Sequence, residues 1–167
     1  GIFDEKGISF DNRDGLPLTV KGQLPGGRYA LPGDVSSQFF TGLLFALPLA
    51  GDDSVLISTT TLESKSYVDM TLDTLARHGI TIHEKSPEHY EIPGGQSYKA
   101  GAFAVEGDYS QAAFWLVSGL TGAGITLQGL FLDSKQGDKA ILTILSKMGG
   151  DIREENGMIA AKPSKTR

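Results

Sequence analysis

Gly27-Arg28-Tyr29-Ala30-Leu31-Pro32-Gly33-Asp34-Val35-Ser36 and Gly101-Ala102-Phe103-Ala104-Val105-Glu106-Gly107-Asp108-Tyr109-Ser110 are two copies of one pattern, five of ten aligned pairs being identical at a shift of 74 positions. The correspondence then continues at a shift of 70. It sets Val55 over Ile125, Ser64-Lys65 over Ser134-Lys135, Leu72 over Leu142, Leu75 over Leu145, Gly79 over Gly149 and Ile82 over Ile152. Self-similarity at a fixed period signals a repeated structural unit, so the fold follows from what one copy forms.

The alternation of Tyr29 and Leu31, or Phe103 and Val105 in the second copy, predicts a short strand. Gly33-Asp34 and Gly107-Asp108 predict a turn into a helix capped by serine. Phe40, Leu43, Leu44 and Leu47 recur at helical spacing until Pro48 and Gly51 end the element. After a turn at Asp52-Asp53, Val55-Leu56-Ile57 reads as a buried strand. Residues 64–78 predict a second helix faced by Tyr67, Met70, Thr71, Leu72 and Leu75, with Ser66 able to cap it and Gly79 at the left-handed closing position. Thr81-Ile82-His83 and Tyr90-Glu91-Ile92 predict two closing strands. The fold class is therefore α/β (α+β), built of β-α-β-α-β-β units about 70 residues long. Residues 1–24 add two leading strands, Ile8-Ser9-Phe10 and Leu18-Thr19-Val20, expected to end a preceding unit.

Composition excludes several functions. The 167 residues are 40% hydrophobic, enough for a buried core. Twenty acidic and 15 basic residues give a net charge of −5, the wrong sign for a nucleic-acid partner, so an anionic ligand must be held by local donors. With no cysteine, disulfide scaffolds, thiol nucleophiles and cysteine-ligated zinc are excluded. The most apolar run, residues 39–49, is about half the roughly 20 residues that span a bilayer. A cytoplasmic protein with no membrane association is expected. The chain opens on Gly1 without an initiator Met and stops at Arg167 in a polar stretch, so both ends are expected to be cut from a longer sequence.

Two constellations can carry chemistry. Ser36-Ser37-Gln38 opens the first helix, where unpaired backbone N–H groups and a positive partial charge suit a phosphate. Ser64-Lys65-Ser66-Tyr67 opens the second. If the two preceding strands run parallel, both helix starts lie at the same end and Ser64 can reach the same anion. A plain serine N-cap and a solvated lysine account for the same residues.

The run 31–39, then Ser64-Lys65 with Tyr67-Val68-Asp69, Gly94-Gly95-Gln96-Ser97-Tyr98, Val105-Glu106-Gly107-Asp108, Gln136-Gly137-Asp138 and Lys147-Met148-Gly149 resembles the 5-enolpyruvylshikimate-3-phosphate synthase family in order and spacing over nearly the whole chain. The resemblance implies a transferase of six β-α-β-α-β-β units in two lobes. It would move the enolpyruvyl group of phosphoenolpyruvate onto shikimate 3-phosphate by addition and elimination, without metal or organic cofactor. By position it implies that Ser36, Ser37 and Ser64 hold the phosphate of shikimate 3-phosphate, that Gln38 touches both substrates and that Tyr67 borders the pocket. Residues 1–105 would belong to one lobe and 106–167 to the other. The family's catalytic residues and phosphoenolpyruvate-binding cations match nothing here, so a segment inactive by itself is expected. The whole enzyme is expected to be a monomer, and the segment, with uncovered apolar surface, either to self-associate or to repack its units. Ser66, where the family usually has proline, and Tyr109-Ser110-Gln111, where it has small residues, depart from the pattern.

Alternatives are the sister enolpyruvyl transferase acting on UDP-N-acetylglucosamine, a non-catalytic phosphate-binding or structural module, and an RNA 3′-end cyclase, against which the acidic charge argues. His78, His83 and His89 have spacings that match no metal site on one helix and read as surface residues. Trp115 reads as core, and Asp138 and Lys139 as a cap and a solvated charge.

Overall fold

The leading residues form a one-turn helix, Ile2–Glu5 (α1), and an antiparallel hairpin of Ser9–Asp11 (β1) with Thr19–Lys21 (β2), in which Phe10 lies opposite Val20. This computed structural model describes residues 2–12 and 15–165. By its internal contacts the chain separates into two units, residues 1–101 and 102–167.

In the first unit Gly27–Leu31 (β3) leads into helix Ser37–Ala46 (α2), which ends in a 3-10 turn at Leu47–Leu49. Then follow Ser54–Ser58 (β4), helix Lys65–Arg77 (α3), His83–Ser86 (β5) and His89–Ile92 (β6). This is the β-α-β-α-β-β order read from the repeat. The sheet order is β3-β4-β6-β5, with β3 and β4 parallel and the closing strands antiparallel. The ladder sets Tyr29 against Leu56 and Leu56 against Tyr90, so one row of large side chains crosses one face. Phe40 and Leu44 from α2 and Val68 and Leu75 from α3 bury against them. Gly79, at φ +78, closes α3 as expected: its N–H and that of Ile80 return to Ala76 and Leu75 carbonyls.

Three local readings change. The buried stripe of α3 is Val68, Thr71 and Leu75, whereas Tyr67 is exposed, because the sheet lies one residue round the helix from the predicted face. Ser64, not Ser66, takes the N-cap position, without a side-chain cap bond. Thr81 and Ile82 stay outside the ladder, since the Gln96 side chain binds both the N–H and the carbonyl of Thr81 and replaces a strand partner there.

The second unit has helix Tyr109–Thr121 (α4), Ile125–Leu127 (β7), a 3-10 turn at Gly137–Lys139 followed by helix Ala140–Lys147 (α5), then Asp151–Glu155 (β8) and Met158–Lys162 (β9). Its sheet, β7-β9-β8, is the counterpart of β4-β6-β5. The strand expected at 103–105 does not form, and Val105 is 94% exposed. Alternation is not sufficient for a strand: a ladder is also needed, and β7, three residues long, is paired with β9 and not with this segment. Trp115 is not core either, being 58% exposed. Only the stripe Tyr109, Ala112, Leu116, Gly119 and Leu120 faces inward, and Trp115 lies one helical step away from Leu116. Tyr109, one of the departures from the family pattern, fills the core of this unit and donates its hydroxyl to the Phe131 carbonyl at 3.1 Å.

The two copies also start their first helices differently. Asp108, not Ser110, caps α4, accepting from the N–H and the hydroxyl of Ser110 at 2.8 and 2.6 Å. In the first copy the matching Asp34 is held by the Thr60 hydroxyl at 3.0 Å, which leaves Ser36 to cap α2. The position matching Thr60 at the shift of 70 is Leu130, which has no hydroxyl, so Asp108 is available as the cap.

Candidate functional site

Because β3 and β4 are parallel, α2 and α3 leave the sheet from the same end and pack side by side. The loops that feed them are joined. The Gly33 N–H donates to Thr60 Oγ1 at 2.9 Å, and the Glu63 N–H donates to the Gly33 carbonyl at 3.1 Å. Gly33 admits no side chain, since a Cβ there would lie 2.2 Å from Ser58 Oγ and 2.9 Å from Leu62 Cα. The two helix starts are thereby held at a fixed separation.

A groove of about 540 Å³ runs between these helices, lined by Ser36, Ser37, Gln38 and Thr41 from α2 and by Tyr67 and Thr71 from α3, with Phe45, Met70 and Thr74 further along. Four of the five residues singled out from the sequence therefore meet on one surface. Ser64 is not in the lining. It sits at the exposed start of α3 with φ 54 and ψ 40, a left-handed backbone unusual for serine, with its carbonyl accepting the Tyr67 N–H.

Ser36 is the N-cap, its Oγ accepting the Gln38 N–H at 3.2 Å. The cap reading is thus correct for Ser36, yet a hydroxyl that accepts still has its own proton to donate. The side chains of Ser37, Gln38, Ser64 and Tyr67 make no hydrogen bond among the described residues. The groove consequently presents hydroxyl and amide donors at a helix N-terminus, where an anion is favoured.

Lys65 does not add a loose positive charge to this surface. It binds Asp69, and Glu84 at 3.0 Å. Burial alone lowers its pKa, but the two carboxylates outweigh that and hold it above the ordinary lysine value. The adjacent Tyr90 hydroxyl is pushed up to about 12, chiefly by burial. Among the described residues no lysine or arginine lines the groove.

The sequence reading missed Thr41, Thr71 and Thr60. The first two were signalled by spacing, since Thr41 lies four residues after Ser37 and Thr71 four after Tyr67, one helical turn in each case. Thr60 carried no such signal, because its contact with Gly33 spans 27 residues. A second groove, lined by Leu72, Leu75, Ile80, Thr81, Ile82 and Glu84 among others, has no comparable set of hydroxyl and amide donors. Asp53 behaves as a turn residue, its Oδ1 accepting the Gly94 N–H at 2.9 Å. His78 Nδ1 lies 3.1 Å from the Lys99 carbonyl, and no group of three potential metal ligands occurs among the described residues. No helix among them is long and apolar enough to cross a membrane.

The arrangement of strands and paired helices is that of the enolpyruvyl transferase fold. The chain is similar to the enolpyruvyl transferase NikO from Streptomyces tendae, with a TM-score of 0.73 at 16% identity over 97% of this chain and 40% of that one. It is also similar to an EPSP synthase from Acinetobacter baumannii, with a TM-score of 0.67 at 22% identity over 95% of this chain and 36% of that one.

Sequence defines the family more narrowly. The profile of EPSP synthase (3-phosphoshikimate 1-carboxyvinyltransferase) matches residues 3–167, and the chain belongs to this family. It is 51% identical to the 3-phosphoshikimate 1-carboxyvinyltransferase of Clostridium kluyveri over 99% of its length, and 49% identical to that of Clostridium acetobutylicum over 93%. It spans 39% and 37% of those two relatives.

Proposed function

We propose that this chain is a segment of a 3-phosphoshikimate 1-carboxyvinyltransferase and supplies that enzyme's site for the phosphate of shikimate 3-phosphate. Ser36 and Ser37 donate hydroxyl protons to the phosphate from the groove, Ser64 donates from outside the lining at the adjacent start of α3, Gln38 bridges the two substrates, and Tyr67 walls the pocket. In this reading residues 1–105 belong to one lobe and 106–167 open the other. Apart from Gln38, the residues that bind phosphoenolpyruvate, and those that protonate and deprotonate the reacting carbon, lie elsewhere in the whole enzyme. The setting is cytoplasmic biosynthesis, with shikimate 3-phosphate and phosphoenolpyruvate as substrates.

One observation carries the reading: unused donors from two neighbouring helix starts converge on one groove in a chain that belongs to this family. The chemistry is consistent. A dianion bound by hydroxyl and amide donors gains charge-assisted hydrogen bonds worth about 1.5–3 kcal/mol each.

The test is a chimaera in which this chain replaces the matching segment of the Clostridium kluyveri enzyme. It is expected to form product from shikimate 3-phosphate and phosphoenolpyruvate. Ser37→Ala should raise the KM for shikimate 3-phosphate about tenfold or more, as loss of one such bond requires, and move that for phosphoenolpyruvate much less. A folded but inactive chimaera, or a Ser37→Ala variant with unchanged KM for shikimate 3-phosphate, refutes the assignment.

A further inference from the structure

The floor of the groove contains a hydroxyl relay. Thr71 Oγ1 lies 2.9 Å from the Tyr67 carbonyl and 3.3 Å from Thr41 Oγ1. A threonine hydroxyl has one proton and a carbonyl can only accept, so Thr71 donates to Tyr67 and must accept from Thr41. The direction of the relay is therefore Thr41 to Thr71 to the Tyr67 carbonyl. It joins α2 to α3 one turn beyond Ser37 on the first helix and one turn beyond Tyr67 on the second.

Thr71 is 6% exposed, so this bond sits beneath the groove rather than on its rim. On either side of it the packing is apolar, with Phe40 and Leu44 from α2 and Val68 and Leu75 from α3. Apolar contacts are non-directional and tolerate small sliding of one helix along the other, whereas a hydroxyl pair fixes register. Thr74 repeats the back-bond to its own helix, donating to the Met70 carbonyl at 2.8 Å, but has no such partner on α2. Only the turn carrying Tyr67 is joined to α2 in this way.

We infer that Thr41 and Thr71 are positioning residues for the phosphate groove. They hold the donors of Ser37 and Gln38 at a working distance from the first turn of α3, and act through those donors rather than by touching substrate. This inference rests on the functional reading above.

Four variants of the chimaera test it: Thr41→Val, Thr71→Val, the double Thr41→Val/Thr71→Val, and Thr71→Ser, which keeps the hydroxyl. Each Val variant should raise the KM for shikimate 3-phosphate about threefold to tenfold, with kcat and the KM for phosphoenolpyruvate within twofold of the parent. The double variant should be no worse than the poorer single one, because one relay is lost only once. Thr71→Ser should restore the parent value. Variants that all bind shikimate 3-phosphate like the parent overturn the positioning role and leave the functional reading standing. So does an additive double variant or an equal fall in kcat/KM for both substrates. A parent chimaera that binds no shikimate 3-phosphate removes both.

Discussion

Thr60→Val should weaken the first unit and also place a carboxylate in the groove. Thr60 Oγ1 accepts the Gly33 N–H at 2.9 Å and donates to Asp34 Oδ1 at 3.0 Å. Valine keeps the shape and loses both bonds. Gly33 is buried, so its N–H is left short of a partner, while the residue at 60 is exposed and water recovers part of the loss. A net cost of about 1–2 kcal/mol follows, which is a five- to thirtyfold change in an opening equilibrium. Residue-resolved amide exchange reads it directly: Leu56 and Ile57 in β4 should exchange about five- to thirtyfold faster. Asp34, once released, can turn to the Ser36 N–H as Asp108 turns to Ser110, so affinity for shikimate 3-phosphate should fall as well. Thr60→Ser preserves both bonds and should behave as the unsubstituted chain. Exchange in Thr60→Val within twofold of the parent, or Thr60→Ser as damaged as Thr60→Val, refutes the account of the joined loops.

Gly42 lies inside α2 with nothing within 4 Å of a Cβ placed there, so Gly42→Ala should stabilise the first unit by about 0.5–1 kcal/mol, seen as a higher urea midpoint. Gly33→Ala, by contrast, meets Ser58 Oγ and the Leu62 backbone and should lower that midpoint or abolish folding. In the second unit, the Ser110 hydroxyl and N–H hold the Asp108 carboxyl below its ordinary pKa of 3.8. Its stabilising contribution is therefore complete above pH 3.8 and is lost as pH falls through the lower folded-state value. Asp108→Asn keeps the cap and removes the titration. Acid unfolding followed through Trp115, the single tryptophan, should then be less steep below about pH 4, and coincident acid limbs would contradict this.

Much of the architecture was legible because the repeat supplied two readings of one unit. Apolar residues at period 2 marked β3 and β6, the continuous apolar run Val55-Leu56-Ile57 marked β4, those at period 3.6 marked α2, and Gly79 and Gly149 marked the ends of α3 and α5. The departures have physical causes. Residues 103–105 have strand alternation, but a strand exists only where a neighbour offers a ladder. Trp115 has a core residue's chemistry, but α4 is apolar over most of its circumference and only the stripe nearest the sheet is buried. Asp34 and Asp108 are the same residue in equivalent positions, and which one caps a helix depends on a hydroxyl at Thr60 that the second copy lacks.

The same division holds for the candidate site. By itself the amino-acid sequence determined the repeat, the α/β class, the absence of any thiol, the acidic net charge, and the helix starts at Ser36 and Ser64, because these depend on residue type and short-range spacing. Tertiary structure alone decided that Ser36, Ser37, Gln38 and Tyr67 share one groove while Ser64 stands outside its lining. It also decided that Glu84 joins the i+4 residue Asp69 in holding Lys65, and that Thr41 meets Thr71. Those outcomes turn on the parallel pairing of β3 with β4 and on bonds between residues about twenty to thirty apart in the chain, whose geometry no local pattern encodes.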